Sequence, residues 1–200
     1  LALPGADRAA AEPWRMAAAV LHRLGRSSEI AERFASQQAA PAVAQMLVGN
    51  INCPLTSSMG RVFDAVAGLL GVKAVMAYEG QAAMLLEGMA QRYGEVLPLD
   101  CGWKVSQGQL DLLPLLAVLA DEKNAERGAA LFHATLIAAL GDWLRVVAPR
   151  QQAVVGSGGC FLNQVLMRGL RARCNAQGMR IIEARQLPPN DGGLSVGQAW

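Results

Sequence analysis

Two short glycine-bearing segments near the C-terminus hold the residue types best suited to chemistry. The first is Ser157-Gly158-Gly159-Cys160-Phe161-Leu162-Asn163 and the second is Asn190-Asp191-Gly192-Gly193. The first follows the apolar run Ala153-Val154-Val155, which reads as a short buried strand. It opens onto Phe161, Leu162, Val165, Leu166 and Leu170 at helical spacing. A strand that turns through glycines into a helix leaves backbone N–H groups uncommitted at the helix start, where a ligand's phosphates can bind. Adjacent glycines let the ligand approach the main chain with no Cβ in the way. Asn163 is expected in the first helical turn, facing that mouth. The second segment repeats the design, with Met179-Arg180-Ile181-Ile182 as the strand and Asp191 just before a Gly-Gly helix start. A carboxylate there can hold a hard cation beside phosphate oxygens. Either motif alone also reads as a tight turn, with Asp191 or Asn163 as a helix cap. Two such turns in consecutive βαβα units aim at one sheet edge, which points to a nucleotide-and-metal site.

The elements that must carry these turns are mostly helical. Glu12 to Leu24 places Trp14, Met16, Val20 and Leu21 on one apolar face, and shorter helices are predicted over Glu29–Ala35 and Pro41–Val48. Pro41 suits a first helical position. The loop Asn52 to Ser58 ends in N-cap chemistry, and the helix after it carries Val62, Phe63, Val66, Leu69 and Leu70 before stopping at Gly71. Asp64 falls off that apolar stripe and is expected on the solvent side, able to reach a ligand. A helix from about Gln81 to Arg92 follows Tyr78-Glu79-Gly80. Gly102 to Leu112 alternates weakly and suggests a strand pair. Asn124 to Val147 reads as one long helix with relief at Gly141, and a βαβα unit closes the chain.

Composition narrows the function. The 200 residues are 52% apolar and 17% charged, enough for a large core and unlike a disordered chain. A net charge of +2 with no basic cluster gives no case for nucleic acid. Cys53, Cys101, Cys160 and Cys174 form no CxxC pair, which argues against a zinc ribbon or a disulfide framework and fits a reducing cytoplasm. The apolar tract Leu131 to Leu140 contains His133 and is too short to span a bilayer, so no membrane partner is expected. The start, Leu1-Ala2-Leu3-Pro4-Gly5, lacks an initiating Met and a basic n-region; it is read as an excision from a longer chain, not a signal peptide.

Several segments taken together resemble a known family. These are Glu12-Pro-Trp-Arg-Met16, Pro54-Leu-Thr-Ser-Ser-Met-Gly-Arg-Val-Phe-Asp-Ala-Val-Ala-Gly-Leu-Leu-Gly71, Tyr78-Glu-Gly-Gln-Ala-Ala-Met84, Ser157-Gly-Gly159 and Leu187-Pro-Pro-Asn-Asp-Gly-Gly-Leu-Ser-Val-Gly-Gln198. In this order they resemble the C-terminal part of the HypF family, the carbamoyltransferases that mature NiFe hydrogenases. The resemblance spans residues 1–200 and implies a helix-rich α/β lobe of the actin/hexokinase-like fold, ending in a βαβα unit. It implies an enzyme that uses carbamoyl phosphate and ATP to make carbamoyl adenylate, then carbamoylates the C-terminal cysteine of a HypE-like partner on the way to the cyanide ligand. By similarity, Asp64 binds the ribose hydroxyls, Gly80 lies against the nucleoside, Ser157, Gly158 and Gly159 form the nucleotide-facing turn, and Asn163 contacts the nucleotide. Asp191 is then the one ligand this lobe gives to a divalent metal (Fe, Mg or Zn).

Each role has a plainer reading. Asp64 can be a solvated helix residue or a partner of Arg61, Gly80 a turn, and Asn163 a cap. A non-catalytic docking lobe and a natural-product O-carbamoyltransferase are the alternative functions. Gly156, Cys160 and Leu162 depart from the family pattern, where Leu, a small aliphatic residue and Gln are expected. Cys160 has no base beside it and reads as a buried residue, not a nucleophile. The family's pair of metal-binding histidines one helical turn apart is not in this sequence. His22 and His133 are far apart, each inside an apolar helix, and read as packed residues.

Overall fold

The computed structural model describes residues 1–148, 152–184 and 186–199. A short helix, α1 (Asp7–Ala11), leads into α2 (Pro13–Arg23), which starts on a proline whose missing N–H has no partner to lose at a helix start. The small helices α3 (Ile30–Arg33) and α4 (Ala40–Val48) then turn the chain back toward α5 (Met59–Leu69). Gly71 ends that region with φ +68°, a conformation that costs a Cβ-bearing residue about 1 kcal/mol or more.

Small residues let α2 and α5 touch. A Cβ on Gly68 would sit 2.5 Å from the Pro13 carbonyl oxygen and 2.8 Å from Ala17 Cβ. The alanines of α2, fully buried at Ala17 and Ala18, are therefore a close-packing surface. α6 (Gln81–Tyr93) packs on the long α8 (Ala125–Val147), whose N-cap Asn124 accepts from Arg127 N–H. Phe63 of α5 meets Phe132 of α8 edge to face at 4.9 Å, joining the two helices through the core.

Between α6 and α8 lies a hairpin, β1 (Lys104–Ser106) and β2 (Gln109–Asp111), antiparallel with Val105 opposite Leu110. The predicted strand pair is this hairpin. Helix α7 (Leu113–Asp121) follows it and has no counterpart in the sequence reading. Its run Leu112-Leu113-Pro114-Leu115-Leu116 is apolar on every side, so no helical period stands out. The start is set instead by Pro114 and by Asp111 Oδ1, which accepts from Leu113 N–H.

The chain closes as β3 (Ala153–Gly156), α9 (Gln164–Ala176), β4 (Arg180–Glu183) and α10 (Leu194–Ala199). β3 and β4 are parallel with Val154 opposite Ile181 and Val155 opposite Ile182, a pairing that needs a crossover connection, here through α9. Met167, Leu170, Cys174, Met179 and Ile181 form a small second core under this unit, apart from the main helical core. The helix-rich α/β class and the closing βαβα unit expected from the sequence are both present.

Two expectations change. Gly141 gives α8 no relief: the helix runs on to Val147, and the missing Cβ makes room for Arg173 of α9, which pairs with Asp142 at 2.8 Å. α8, at 23 residues, is also long and apolar enough by length and composition to cross a membrane. Phe132, His133, Leu136 and Ala139 on one side of it are nevertheless buried against α5, α6 and α9, as in the central helix of a packed domain.

Candidate functional site

The first turns of α5 and α6, the turn before α9 and the turn before α10 surround a cleft of about 510 Å³. Asp64, Gly80, Gly159, Asn163 and Asp191 all line it, although they come from four separate stretches of chain. Ser157 and Gly158 do not line it. Gly158 instead clamps the two glycine turns together, since at φ +108° its N–H donates to the Pro189 carbonyl at 2.6 Å.

Asp64 differs most from expectation. It is 3% exposed, because Phe63 and Ala65 on either side are drawn into the core and the first turn of α5 is covered by neighbouring elements. Arg61 Nη1 lies 2.9 Å from Asp64 Oδ2, so the pairing with Arg61 is real. That nitrogen, however, donates to the Ala10 carbonyl at 2.7 Å, and Oδ2 is left sealed from solvent without a hydrogen-bond donor. Burial pushes the Asp64 carboxyl up to about 6, with Arg61 pulling it partly back. A buried acceptor lacking a donor is costly, by about 1–3 kcal/mol, and the charge of Arg61 offsets part of that cost.

Asn163 is a cap. Its Oδ1 accepts from Leu166 N–H at 2.9 Å, and its Nδ2 points to His133 Nε2 at 3.0 Å. Glu87 of α6 takes the Gln164 N–H at 2.7 Å. The start of α9 is thus satisfied by a carboxylate and an amide of the protein itself, which corrects the expectation of an open phosphate cradle there. The physical reason is the inserted 3-10 turn Gly159–Leu162, which separates the glycines from the helix start.

Gly80 has φ +78°, and a Cβ built on it would meet nothing within 4 Å. Its glycine identity is therefore set by backbone conformation, and it leaves the cleft wall bare. Ala83, Met84 and Glu87 line the cleft from the same face of α6. That i, i+3, i+4, i+7 spacing from Gly80 is the signal by which Glu87 was legible in the sequence and was missed.

Asp191 is exposed, and its carboxylate makes no hydrogen bond or ion pair among the described residues. The cap at this turn is Asn190, whose Oδ1 accepts from Gly192 N–H at 3.2 Å. Among the described residues no group of three or more His, Cys, Asp or Glu side chains is close enough to hold a metal. One exposed carboxylate does not make a metal site, and this chain's residues alone do not fit one.

His22 Nδ1 pairs with Ser27 Oγ at 2.8 Å and His133 is buried, so both are packed residues. Burial, followed by the charge of Asp64, holds the Cys160 thiol above its usual range, which disfavours the thiolate. Gly156 is explained by Phe161, whose ring would lie 2.9 Å from a Cβ there. A second, larger groove of about 740 Å³ lies between the start of α5 and the β1–β2 hairpin, and shares only Ser58 with the cleft.

Comparison with known proteins shows the family. Residues 1–198 match the family model described as carbamoyltransferase, Kae1-like domain, second subdomain. The chain is 52% identical to carbamoyltransferase HypF2 of Cupriavidus necator, matching all of this chain and 28% of that protein. It is 39% identical to carbamoyltransferase HypF of Rhizobium leguminosarum bv. viciae, over 99% of this chain and 26% of that one. A crystal structure of full-length HypF in a phosphate- and nucleotide-bound form superimposes with a TM-score of 0.82 at 27% identity, over 99% of this chain and 27% of that chain. The structure of T. kodakarensis HypF gives 0.78 at 26% identity, over 99% and 28%. The chain thus spans about a quarter of the length of these relatives. It belongs to the HypF carbamoyltransferase family, as the second subdomain of the Kae1-like domain.

Proposed function

We propose that this chain forms one wall of a nucleotide site in a cytoplasmic carbamoyltransferase that uses ATP and carbamoyl phosphate by way of carbamoyl adenylate. The observation that carries the reading is the meeting of Asp64, Gly80, Gly159, Asn163 and Asp191 on one cleft, with the Asp64 carboxyl lacking a donor. Asp64, which lines the cleft, serves as the acceptor for a ribose hydroxyl, and Gly80 leaves room for the nucleoside. A relative of the same fold, solved with phosphate and nucleotide bound, supports it.

The acceptor is the C-terminal cysteine of a HypE-like protein. Its thiolate forms a C–S bond to the carbamoyl carbon as the C–O bond to the phosphate of AMP breaks, so AMP leaves and a thiocarboxamide remains. Asp191 offers one ligand to a divalent metal whose other ligands come from the preceding subdomain. That the lobe works against a preceding one is supported by the β3–β4 sheet. Val155 and Ile182, opposite each other, are 74% and 42% exposed, whereas parallel sheets are ordinarily covered on both faces. No nucleic-acid or membrane partner belongs to this reading.

Because the chain supplies one wall only, the isolated 200-residue polypeptide is expected to bind ATP weakly and to transfer no carbamoyl group. Calorimetric titration checks this, and micromolar affinity for the chain alone would show a complete site. The test of the function itself is transfer by the full-length protein. Radiolabelled carbamoyl phosphate, ATP and an acceptor with a C-terminal cysteine are expected to give labelled acceptor, and a Cys→Ser acceptor none.

A further inference from the structure

Behind the cleft, His133 meets Asn163 through a buried contact that the nucleotide reading does not use. The imidazole is 1% exposed and lies edge-on to Phe63 at 5.7 Å and to Phe132 at 5.3 Å, so its ring plane is fixed by packing. Nδ1 is 2.8 Å from the Ala129 carbonyl, an acceptor, so Nδ1 must carry the proton. Nε2 is then an acceptor and takes a hydrogen bond from Asn163 Nδ2 at 3.0 Å. At the other end of the same amide, Oδ1 accepts from Leu166 N–H. A side-chain amide can turn over about its last bond at little cost unless its two ends face different partners. Here a donor faces Oδ1 and an acceptor faces Nδ2, so only one orientation satisfies both.

We infer that His133 is a positioning residue that fixes the Asn163 amide, and through it the hydrogen bonds Asn163 offers to a nucleotide in the cleft. This rests on the proposed nucleotide site. One Nδ2 hydrogen and one Oδ1 lone pair of Asn163 remain beyond its two inward bonds, and Asn163 lines the cleft. Their direction is set by the ring behind. Protonating Nε2 would place two donors face to face, and turning the amide to relieve that would set Nδ2 against the Leu166 N–H, so either orientation loses a bond. Burial holds His133 below its usual range, which keeps the neutral form at neutral pH.

The charged and titratable groups on the elements packed around α8 are Arg61 and Asp64 of α5, Glu87 and Arg92 of α6, Asp121 of α7 and Lys104 and Asp111 of the hairpin. Tyr93 of α6, Cys160 and, on α9, Arg168, Arg171, Arg173 and Cys174 complete the set. None of these side chains hydrogen-bonds the ring among the described residues. Asp64 titrates at about 6 and lines the same cleft, so a pH profile of the unaltered protein alone does not isolate His133. Variants do.

The test is a double-mutant cycle in the full-length protein, reading affinity for a non-hydrolysable ATP analogue at pH 7.5. Asn163→Ala is expected to weaken binding about tenfold, the value of one hydrogen bond of about 1.4 kcal/mol. His133→Leu, similar in volume but without an acceptor, is expected to weaken it about as much. His133→Gln, whose Oε1 can take the place of Nε2, is expected to stay within about threefold. It is also expected to lose less affinity than the unaltered protein between pH 7.5 and 5.5. In the Asn163→Ala background, His133→Leu is expected to add nothing. A further loss in that background, or unchanged affinity in His133→Leu alone, overturns the inference. Unchanged affinity in Asn163→Ala overturns the nucleotide contact itself.

Discussion

Asp64→Asn in the full-length protein is expected to weaken nucleotide binding by one to two decades and yet raise the melting temperature of the unliganded protein by several degrees. The affinity loss follows from replacing a charge-assisted hydrogen bond to a ribose hydroxyl, worth about 1.5–3 kcal/mol, where 1.4 kcal/mol is tenfold. The stability gain follows from burial. A carboxyl raised from 3.8 to about 6 is held at neutral pH in the form its surroundings disfavour. At about 1.4 kcal/mol per unit this costs the fold on the order of 3 kcal/mol at pH 7. The amide carries no charge, and Arg61 keeps its bond to the Ala10 carbonyl.

The pH dependence gives this prediction its sign. A folded-state value above the unfolded one stabilises the fold below about pH 4, and that contribution is lost as pH rises toward 6. The melting-temperature advantage of the Asn variant is therefore expected to be full at pH 7.5 and to vanish near pH 4. Matched thermal scans at the two pH values measure it. A lower melting temperature for the variant at pH 7.5 would show that the Arg61–Asp64 contact outweighs the burial penalty. His133 acts in the opposite sense: lowered in the folded state, it withdraws stability as pH falls through its ordinary value near 6.5. Comparing the variant with the parent at each pH cancels that contribution.

Asp191→Ala is expected to reduce carbamoyl transfer to the acceptor cysteine by at least about a hundredfold, a loss of roughly 3 kcal/mol. Formation of carbamoyl adenylate is expected to persist, because the resemblance to HypF implies a separate adenylate-forming module for that step. Stability should be unmoved within about 0.5 kcal/mol, since Asp191 is exposed and its turn is capped by Asn190. Metal content by mass spectrometry of the purified protein, measured beside the transfer rate, should fall with it. Unchanged metal content and normal transfer would remove Asp191 from the site. Asn190→Ala serves as the control for the turn, because it removes the cap and leaves the carboxylate.

The helices with one apolar stripe were legible in the sequence because period and burial coincide. Residues Glu12 to Leu24 and the segment after Ser58 became α2 and α5 to within a residue or two. The strand–turn–helix order of the tail also declared itself, through β-branched runs bounded by glycines. α7 did not, because a helix apolar on all sides has no period to read. Asp64 and Gly80 were named by family resemblance and Gly159, Asn163 and Asp191 also by their turns, and these five line one cleft.

What the sequence could not convey is which atoms remain free once the neighbours arrive. The stripe of α5 put Asp64 on the solvent side, but the surrounding elements close over it, leaving it 3% exposed. The glycines before α9 promised open N–H groups, but Glu87, far away in sequence, had already taken one. The tautomer of His133 and the facing of Asn163 depend on a contact between residues thirty positions apart. Local pattern determines which residues can do chemistry, because it acts through nearest neighbours on one helix or strand. Burial, donor satisfaction and charge state are decided by contacts between elements, and only the tertiary structure makes those.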